Sequence, residues 1–97
     1  MRDSEFRRSA QDEVLAPTDW FIERNPEVAD AFLDALKGRI DQAMRFPDAG
    51  TRELSGCRSL PVGTDPFRMV YRARGETLEI IAVAHTSREA VYWKDRL

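Results

Sequence analysis

Two apolar segments separated by a glycine turn, between Phe67 and Trp93, place the tightest constraint on how this chain folds. In the first, Phe67–Ala73, apolar residues alternate with arginine and valine, as is typical of a strand with one buried face. The second, Leu78–Ala84, is apolar on both faces, which is typical of a central strand. Arg74-Gly75-Glu76 between them predicts a reversal. The sequence therefore predicts an antiparallel hairpin around which the other elements are arranged.

The spacing of apolar residues predicts a helix over Ala10–Arg24, upstream of the hairpin. Ser9 has the side chain expected of an N-cap residue. Pro17 lies inside this helix, where proline lacks a backbone N–H and clashes with the preceding turn. We therefore expect either a kink at Pro17 or two shorter helices, over residues 10–16 and 18–24.

A second predicted helix has clearer boundaries. Asn25-Pro26 combines a favoured N-cap with a favoured first helical residue, and Phe46-Pro47 ends the helix after about Arg45. Gly38 interrupts it, at ~1 kcal/mol relative to alanine, and we expect it to allow a close helix crossing. Because the connection between the helices is short, they are predicted to form an antiparallel hairpin. Apolar residues recur at every fourth position along the second helix: Val28, Phe32, Leu36, Ile40 and Met44.

Flanking segments complete the predicted sheet. Residues 1–9 favour a short strand, and Cys57–Val62 favours another, in which Pro61 indicates an irregular or exposed stretch. Gly63-Thr64-Asp65-Pro66 has the composition of a turn, and residues 88–97 favour a short helix or a docked tail. The sequence thus predicts an α+β fold in the order β-α-α-β-β-β, with a helical hairpin packed on one face of a small antiparallel β-sheet.

Length and composition limit the class of protein. A chain of 97 residues is enough for one domain with a modest core, so we expect a single domain over residues 1–97. The longest apolar run, Ile80–Ala84, is far shorter than the ~20 residues of a membrane-spanning helix, and the first residues do not resemble a signal peptide. Cys57 is the only cysteine, which excludes an internal disulfide and disfavours a cysteine-based metal site. We expect a cytoplasmic protein without a metal or cofactor.

Charge is distributed unevenly along the chain. Residues 1–50 carry 7 Lys/Arg against 11 Asp/Glu, whereas residues 51–97 carry 8 against 6, within a net charge of −2. The half that contains the hairpin is therefore basic, which suits an acidic partner or a phosphate backbone. The excess is small for a nucleic-acid binder, and solvated surface charge explains it equally well.

Candidate functional residues gather in and after the hairpin. His85 is the only histidine, so a pair of histidine ligands is excluded; it is either a structural hydrogen-bonding residue or a general acid or base beside a phosphodiester. Tyr92-Trp93 either seals a core edge or forms an aromatic platform at a binding surface. The sequence carries no P-loop, metal-ligand cluster or nucleophile elbow.

Four arginines lie on or next to the predicted sheet: Arg58, Arg68, Arg72 and Arg88. Each is either solvated on its own or part of a cluster on the face that the helices leave uncovered. Such a cluster would bind carboxylates or phosphates through planar, multidentate hydrogen bonds.

The order and spacing of these elements resemble the RelE/ParE superfamily of toxins from bacterial type II toxin–antitoxin systems. The similarity extends from about Phe6 to Arg96. Upstream it is carried by Ala10, Trp20-Phe21, Asn25-Pro26, Phe32, Leu36, Phe46-Pro47, Gly50 and Arg58. Its most specific part is PFRMVYR at residues 66–72, IIAVAH at residues 80–85, and then Arg88 and Tyr92-Trp93.

This resemblance implies a small growth-inhibiting toxin, of the kind associated with plasmid stabilisation, that a cognate antitoxin from an adjacent gene neutralises. Such antitoxins usually place a helix in a groove of the toxin and often a strand on a sheet edge. RelE-type members cleave mRNA in the ribosomal A site, whereas ParE-type members inhibit DNA gyrase and are not nucleases. The implied target is therefore either gyrase or the ribosome.

The resemblance also implies roles for particular residues. In RelE-type toxins, basic residues on the sheet and a tyrosine near the C-terminus form the active surface; Tyr92 falls at the tyrosine-like position. As a nuclease, this protein would use His85, Arg88 and Tyr92. Thr86, however, stands where an arginine is expected, and the acidic composition suits a ribosome-bound enzyme poorly.

We therefore expect a ParE-like gyrase inhibitor that is not an enzyme. A RelE-like ribosome-dependent endoribonuclease and an inactive antitoxin-binding family member are the alternatives. The residues predicted to contact the antitoxin or target are Arg58, Arg68, Arg72, Arg88, Tyr92 and Trp93.

Overall fold

The computed structural model describes residues 2–63 and 66–97, so the central residues of the predicted turn Gly63-Thr64-Asp65-Pro66 lie outside the described residues. In chain order the elements are β1 (Asp3–Phe6), α1 (Arg8–Arg24), α2 (Pro26–Arg45), β2 (Thr51–Arg52), β3 (Arg58–Pro61), β4 (Phe67–Arg74) and β5 (Thr77–His85). Short 3-10 turns occur at Leu54–Gly56 and Tyr92–Arg96. The predicted α+β class, with two helices packed on one sheet, is confirmed.

The strands form one five-stranded sheet in the order β1-β5-β4-β3-β2. The β4–β5 hairpin lies near its centre, as predicted, and β2 to β5 pair in antiparallel fashion. β1 pairs parallel to β5, with Phe6 opposite Ile80, so the sheet is mixed rather than wholly antiparallel. β2 is an additional two-residue strand inside the polar connection after α2.

α1 differs from its predicted form at two points. It begins at Arg8, so Ser9 lies inside the helix and its prediction as the N-cap is wrong. The reason lies in β1: the Arg7 N–H donates to the Ile80 carbonyl at 2.9 Å, which holds Arg7 extended and lets the helix start immediately after it. The helix also continues through Pro17 as one element, so the alternative of two shorter helices is wrong. Its contacts with α2 and β5 compensate for the missing backbone hydrogen bond.

α2 follows its predicted boundaries. Pro26 is its first residue and Arg45 its last, while Asn25 alone separates it from α1. The rings of Phe21 and Phe32 pack between the two helices with centroids 6.2 Å apart. Gly38 does not mark a close helix crossing, since a Cβ built there meets nothing within 4 Å.

Apolar residues pack on both faces of the sheet. We call the side covered by α1 and α2 the helix face; its buried core includes Phe32, Leu36, Leu60, Met69, Tyr71, Leu78, Ile80 and Val83. We call the opposite side the tail face; its smaller core consists of Cys57, Val70, Ile81, Ala82 and Trp93. Ile81 and Ala82 both serve the tail face because Val70 pairs with Ala82 and Tyr71 with Ile80, which leaves Ile81 as an extra residue in β5.

Two edges of the sheet are closed by side chains where a neighbouring strand stops. β1 pairs with β5 only as far as Ile80, and beyond it the Glu13 carboxylate accepts a hydrogen bond from the Val83 N–H at 3.1 Å. On β3, the Arg39 Nε donates to the Pro61 carbonyl at 2.7 Å. In residues 2–63 and 66–97, neither helix combines the length and apolarity needed to cross a bilayer.

Candidate functional site

A groove of about 220 Å³ runs along the tail face, between β3–β4 and the C-terminal segment 86–97, which we call the tail. Its lining includes Glu53, Ser59, Arg68, His85, Arg88, Tyr92 and Trp93. Five of the residues singled out in the sequence thus share one groove. Arg58 and Arg72 lie elsewhere.

Arg68 forms the floor of the groove and is held by neighbouring strands. Its Nε donates to the Ser59 Oγ at 3.1 Å, and its Nη2 lies 3.4 Å from the Thr51 Oγ1. Ser59 in turn donates to Glu53 at 2.9 Å. Because these contacts fix the guanidinium, Arg68 contributes oriented donors to the floor of the groove.

Arg88 stands at the rim of the groove. It is exposed, and its guanidinium carbon lies 3.9 Å from the centroid of the Tyr92 ring, as in a cation–π contact. Stacking fixes the plane of the guanidinium without using its N–H donors. Arg88 is therefore the arginine of the groove best placed to reach a partner.

His85 is held at the end of β5. Its Nδ1 accepts a hydrogen bond from the Ser87 N–H at 3.0 Å, and its ring packs edge-on against Phe67 at 5.1 Å. One ring nitrogen is thus committed to a local turn, which fixes the ring and leaves Nε2 for contact with a partner.

A carboxylate that the sequence analysis missed holds the tail in place. Glu13 of α1 accepts hydrogen bonds from the Tyr92 hydroxyl and from Arg96, whose Nη1 is 2.7 Å from Oε1. The same Nη1 donates to the Ile81 carbonyl at 3.0 Å. We call Glu13, Tyr92 and Arg96 the Glu13 cluster. It joins α1, the edge of β5 and the tail.

The Glu13 cluster moves two pKa values. Burial, followed by the hydrogen bond to Glu13, raises the pKa of Tyr92 to about 12. The hydrogen bond to Glu13 also raises the pKa of Arg96. The phenol is therefore kept protonated as a donor, and Arg96 is kept charged.

Backbone strain marks the start of the tail's 3-10 turn. Val91 adopts φ 56° and ψ 24°, a left-handed conformation that is a clear outlier for a β-branched residue. Such a residue costs about 1–3 kcal/mol and persists only where its surroundings enforce it. Here the surroundings are the tail-face core, against which the Val91 side chain packs.

Arg58 belongs to a separate structural network after α2. Its Nη1 donates to the Gly50 carbonyl at 3.0 Å, and its Nε lies 3.7 Å from Asp48. The Tyr71 hydroxyl accepts from the Gly50 N–H at 3.0 Å and donates to the Pro47 carbonyl at 2.9 Å. Glycine is required at position 50, because an added Cβ would come within 2.8 Å of the Ser59 carbonyl and the Tyr71 hydroxyl.

Arg72 lies in a second ionic group, at the other end of the sheet. Its Nε is 3.0 Å from the buried Glu79 carboxylate. Arg7 lies 3.0 Å from the same carboxylate, and Arg74 lies 3.9 Å from it. We call these four residues the Glu79 cluster. No group of three His, Cys, Asp or Glu side chains in the described ranges is placed to hold a metal ion.

Comparison with known proteins gives the class to which this fold and groove belong. The chain matches the family model described as ParE toxin of type II toxin-antitoxin system, parDE, over residues 5–90. The protein therefore belongs to the ParE toxin family. No curated protein matches the chain.

A solved structure supports the fold. The chromosomal ParDE TA system from P. aeruginosa contains a chain that matches with a TM-score of 0.61 and 22% sequence identity. The match covers 88% of this chain and 95% of that chain. At this identity, the likeness establishes the shared architecture.

Proposed function

We propose that this protein is a growth-inhibiting toxin that a cognate antitoxin neutralises and that acts by binding DNA gyrase, without cleaving RNA. Family membership supports the toxin role and the antitoxin partner. The choice of a binding mechanism over a nuclease rests on the chemistry of the groove.

The observation that carries this choice is the state of Tyr92. Its hydroxyl is committed to the Glu13 carboxylate, and its pKa is raised to about 12, away from physiological pH. A general acid or base works best with a pKa near the working pH. His85, the other candidate, has only its Nε2 left for proton transfer, because its Nδ1 accepts the Ser87 N–H. The groove thus offers Arg88 and an aromatic surface for binding, rather than a poised proton-transfer pair.

Exposed apolar side chains on α1 support a protein partner. Leu15 is 57% exposed, and Trp20 and Ile22 are each 53% exposed. Leu15 and Ile22 are seven residues apart, so they share one side of the helix. An amphipathic antitoxin helix would cover such a stripe.

Arg58 and Arg72 also remain predicted contacts with the antitoxin. An unchanged antitoxin dissociation constant after Arg→Ala at both positions would contradict this prediction.

Two assays with purified components test whether gyrase or the ribosome is the target. We expect the wild-type protein to inhibit supercoiling by gyrase and to leave mRNA intact during in vitro translation, as followed by primer extension. Arg88→Ala should weaken gyrase inhibition because it removes the free guanidinium at the groove rim. Arg45→Ala, which removes an exposed arginine at the end of α2, is the matched control. Cleaved mRNA together with unaffected supercoiling would overturn the proposal.

One observation favours the second candidate, a ribosome-dependent endoribonuclease: His85, Arg88 and Tyr92 line the same groove. In that case Tyr92→Phe would abolish mRNA cleavage, whereas a gyrase inhibitor would retain activity if the tail stays docked. Expression without antitoxin tests the third reading, an inactive family member, for which growth would continue unimpaired.

A further inference from the structure

The Glu79 cluster carries more positive charge than its single carboxylate balances. Arg7 and Arg72 each contact a different oxygen of Glu79 at 3.0 Å, while Arg74 lies farther away at 3.9 Å. A guanidinium has five N–H donors, so Glu79 engages only a minority of those available. The Arg74 side chain is 71% exposed and the Arg7 side chain 36%, which leaves their donors within reach of a ligand.

One donor of this cluster is unpaired. The Nε of Arg7 is enclosed by protein and makes no hydrogen bond to any described residue. An unmet buried donor is destabilising, and more so when it is charged. Because this nitrogen is enclosed, a ligand reaches Arg7 through the exposed part of its side chain. Two crevices meet at this residue, one lined by Arg8 and Gln11 and the other by Arg72, Arg74 and Leu97.

The start of α1 adds to the positive potential. Arg7 is its N-cap residue but provides no side-chain cap, and the first turn contains no acidic residue. Helix N-termini carry partial positive charge and unpaired N–H groups, which favour anions. The guanidiniums of Arg7 and Arg8 therefore lie beside a helix end that has not been neutralised by its own sequence.

Acidic residues limit the size of the basic area. Glu5 lines the crevice beside Arg7, and Glu76 lies at the adjacent β4–β5 turn, 3.5 Å from Arg2. An extended polyanion would run from the arginines onto these carboxylates. We propose that the Glu79 cluster binds one compact tetrahedral oxyanion, the phosphate group of a small molecule, held by Arg7, Arg72 and Arg74. This site lies apart from the tail-face groove and does not depend on gyrase being the target.

Titration of the full-length protein with inorganic phosphate tests the site directly. The arginine Nε–H signals are followed by 1H–15N NMR, with sodium chloride adjusted to hold the ionic strength constant. We expect saturable shifts of the Arg7 and Arg72 Nε–H signals, because the ligand binds the guanidinium groups to which these nitrogens belong. A nucleoside monophosphate should compete with phosphate for the same signals. Shifts that do not saturate, or that chloride reproduces, would overturn the proposal.

Variants that remove one charge distinguish binding at a defined site from general electrostatic attraction of phosphate to the protein. Arg74→Gln should weaken phosphate binding about fivefold, as expected for a partly exposed ion contact, and it removes no buried group. Arg45→Gln makes the same change in net charge at a distance and should leave the affinity unchanged. Glu79→Gln should strengthen binding, because it frees two guanidiniums and removes a repelling carboxylate. Equal weakening by Arg74→Gln and Arg45→Gln would contradict a defined site.

A single-stranded oligonucleotide distinguishes the source of the phosphate. We expect it to bind no more tightly than the nucleoside monophosphate, because the neighbouring acids repel further phosphates. Tighter binding with a steep dependence on salt would indicate a nucleic-acid surface instead, and would overturn the proposal of a small ligand.

Discussion

The Glu13 and Glu79 clusters are each built on one carboxylate, which pairs with one arginine in the first and with three in the second, and they differ in how completely the hydrogen-bonding groups are satisfied. Glu13 accepts hydrogen bonds from Tyr92 and Arg96 of the tail and from the Val83 backbone N–H. The side chains of Glu13 and Arg96 are only 15% and 20% exposed. Glu79 is more deeply buried, at 8%, but two of its arginines reach solvent. The Glu13 cluster is a structural contact in which the donors are paired with the carboxylate, whereas the Glu79 cluster has arginine N–H donors that Glu79 does not engage.

This difference shows that a count of ion pairs does not identify a functional site. A buried carboxylate stabilises a fold when each partner is matched to it, and breaking the match leaves an uncompensated charge. Where arginines outnumber the acid and remain partly exposed, the surplus is available to a ligand. Three substitutions test this distinction, and a fourth, remote from both clusters, gives a reference for them.

Glu13→Gln should have the largest effect. It leaves Arg96 without its counterion, and we expect the free energy of unfolding to fall by about 3 kcal/mol, as for a broken, mostly buried ion pair. Urea denaturation at neutral pH measures the change. Asp12→Asn, at the exposed neighbouring position on α1, is the control and should have little effect. Equal stability of the two variants would contradict the role of Glu13 in holding the tail.

Glu79→Gln should cost less, about 2 kcal/mol, although Glu79 is the more buried acid. Its partners Arg7 and Arg74 are exposed enough to be hydrated again when the carboxylate is neutralised. The same denaturation experiment applies, with Glu76→Gln at the exposed β4–β5 turn as the control. A loss larger than that of Glu13→Gln would show that the Glu79 cluster is structural rather than held in reserve.

Tyr92→Phe tests the Glu13 cluster through the pH dependence of the free energy of unfolding. Loss of a hydrogen bond to a charged group should cost about 1.5 kcal/mol at neutral pH. Because the pKa of Tyr92 is raised from 10.0 to about 12 in the folded state, its contribution is fully present below pH 10 and is lost as the pH rises through 12.

The wild-type protein should therefore lose stability across this alkaline range, and Tyr92→Phe should lose correspondingly less. Burial also raises the pKa of Tyr71, so Tyr71→Phe reports the remaining tyrosine contribution. Identical pH profiles for the wild type and Tyr92→Phe would mean that the phenol is not bound to Glu13 in solution.

Gly38→Ala should have the smallest effect and the opposite sign. Its Cβ would meet open space in the middle of α2, so the gain in helix propensity should raise the free energy of unfolding by about 0.8 kcal/mol. Thermal and urea denaturation measure it. Since Gly38 is remote from both clusters, the alkaline profile should stay as in the wild type; a destabilised Gly38→Ala would contradict the open surroundings of this residue.

The sequence was sufficient to predict the helices and strands in which the buried apolar residues recur at regular intervals. The four-residue spacing of α2 corresponds to an amphipathic helix, and the alternation at Phe67–Ala73 corresponds to a strand. That strand is buried on both faces at its centre, because Val70 packs into the tail-face core. The start of α1 was not predictable in this way, because it depends on the hydrogen bond between Arg7 and Ile80. Likewise, four residues with one large apolar side chain do not specify that β1 pairs parallel to β5.

The candidate site was only partly predictable, since its geometry depends on contacts between distant segments. The tail residues were singled out as a group, and they do share a groove. The helical spacing does place Glu13, three residues after the buried Ala10, on the inner side of α1, unlike the exposed Asp12 beside it. It does not show that the carboxylate pairs with the tail, 79 to 83 residues later in the sequence. Arg58 and Arg68 likewise cannot be told apart from the sequence, since both are arginines in predicted strands. Only the register of β3 and β4 shows that they belong to different hydrogen-bond networks.

The side-chain caps on β3 and β5 have a consequence for how the sheet meets other chains. An unpaired strand edge is a template for the addition of a foreign strand and for aggregation. Glu13 occupies the Val83 N–H and is itself held by Tyr92 and Arg96, whereas Arg39 occupies the Pro61 carbonyl and otherwise bonds Gln42 of its own helix. Both edges are thus protected in the isolated protein, but the two caps are not equivalent. An incoming strand can displace Arg39 without breaking the Glu13 cluster, so the β3 edge is the easier one to open.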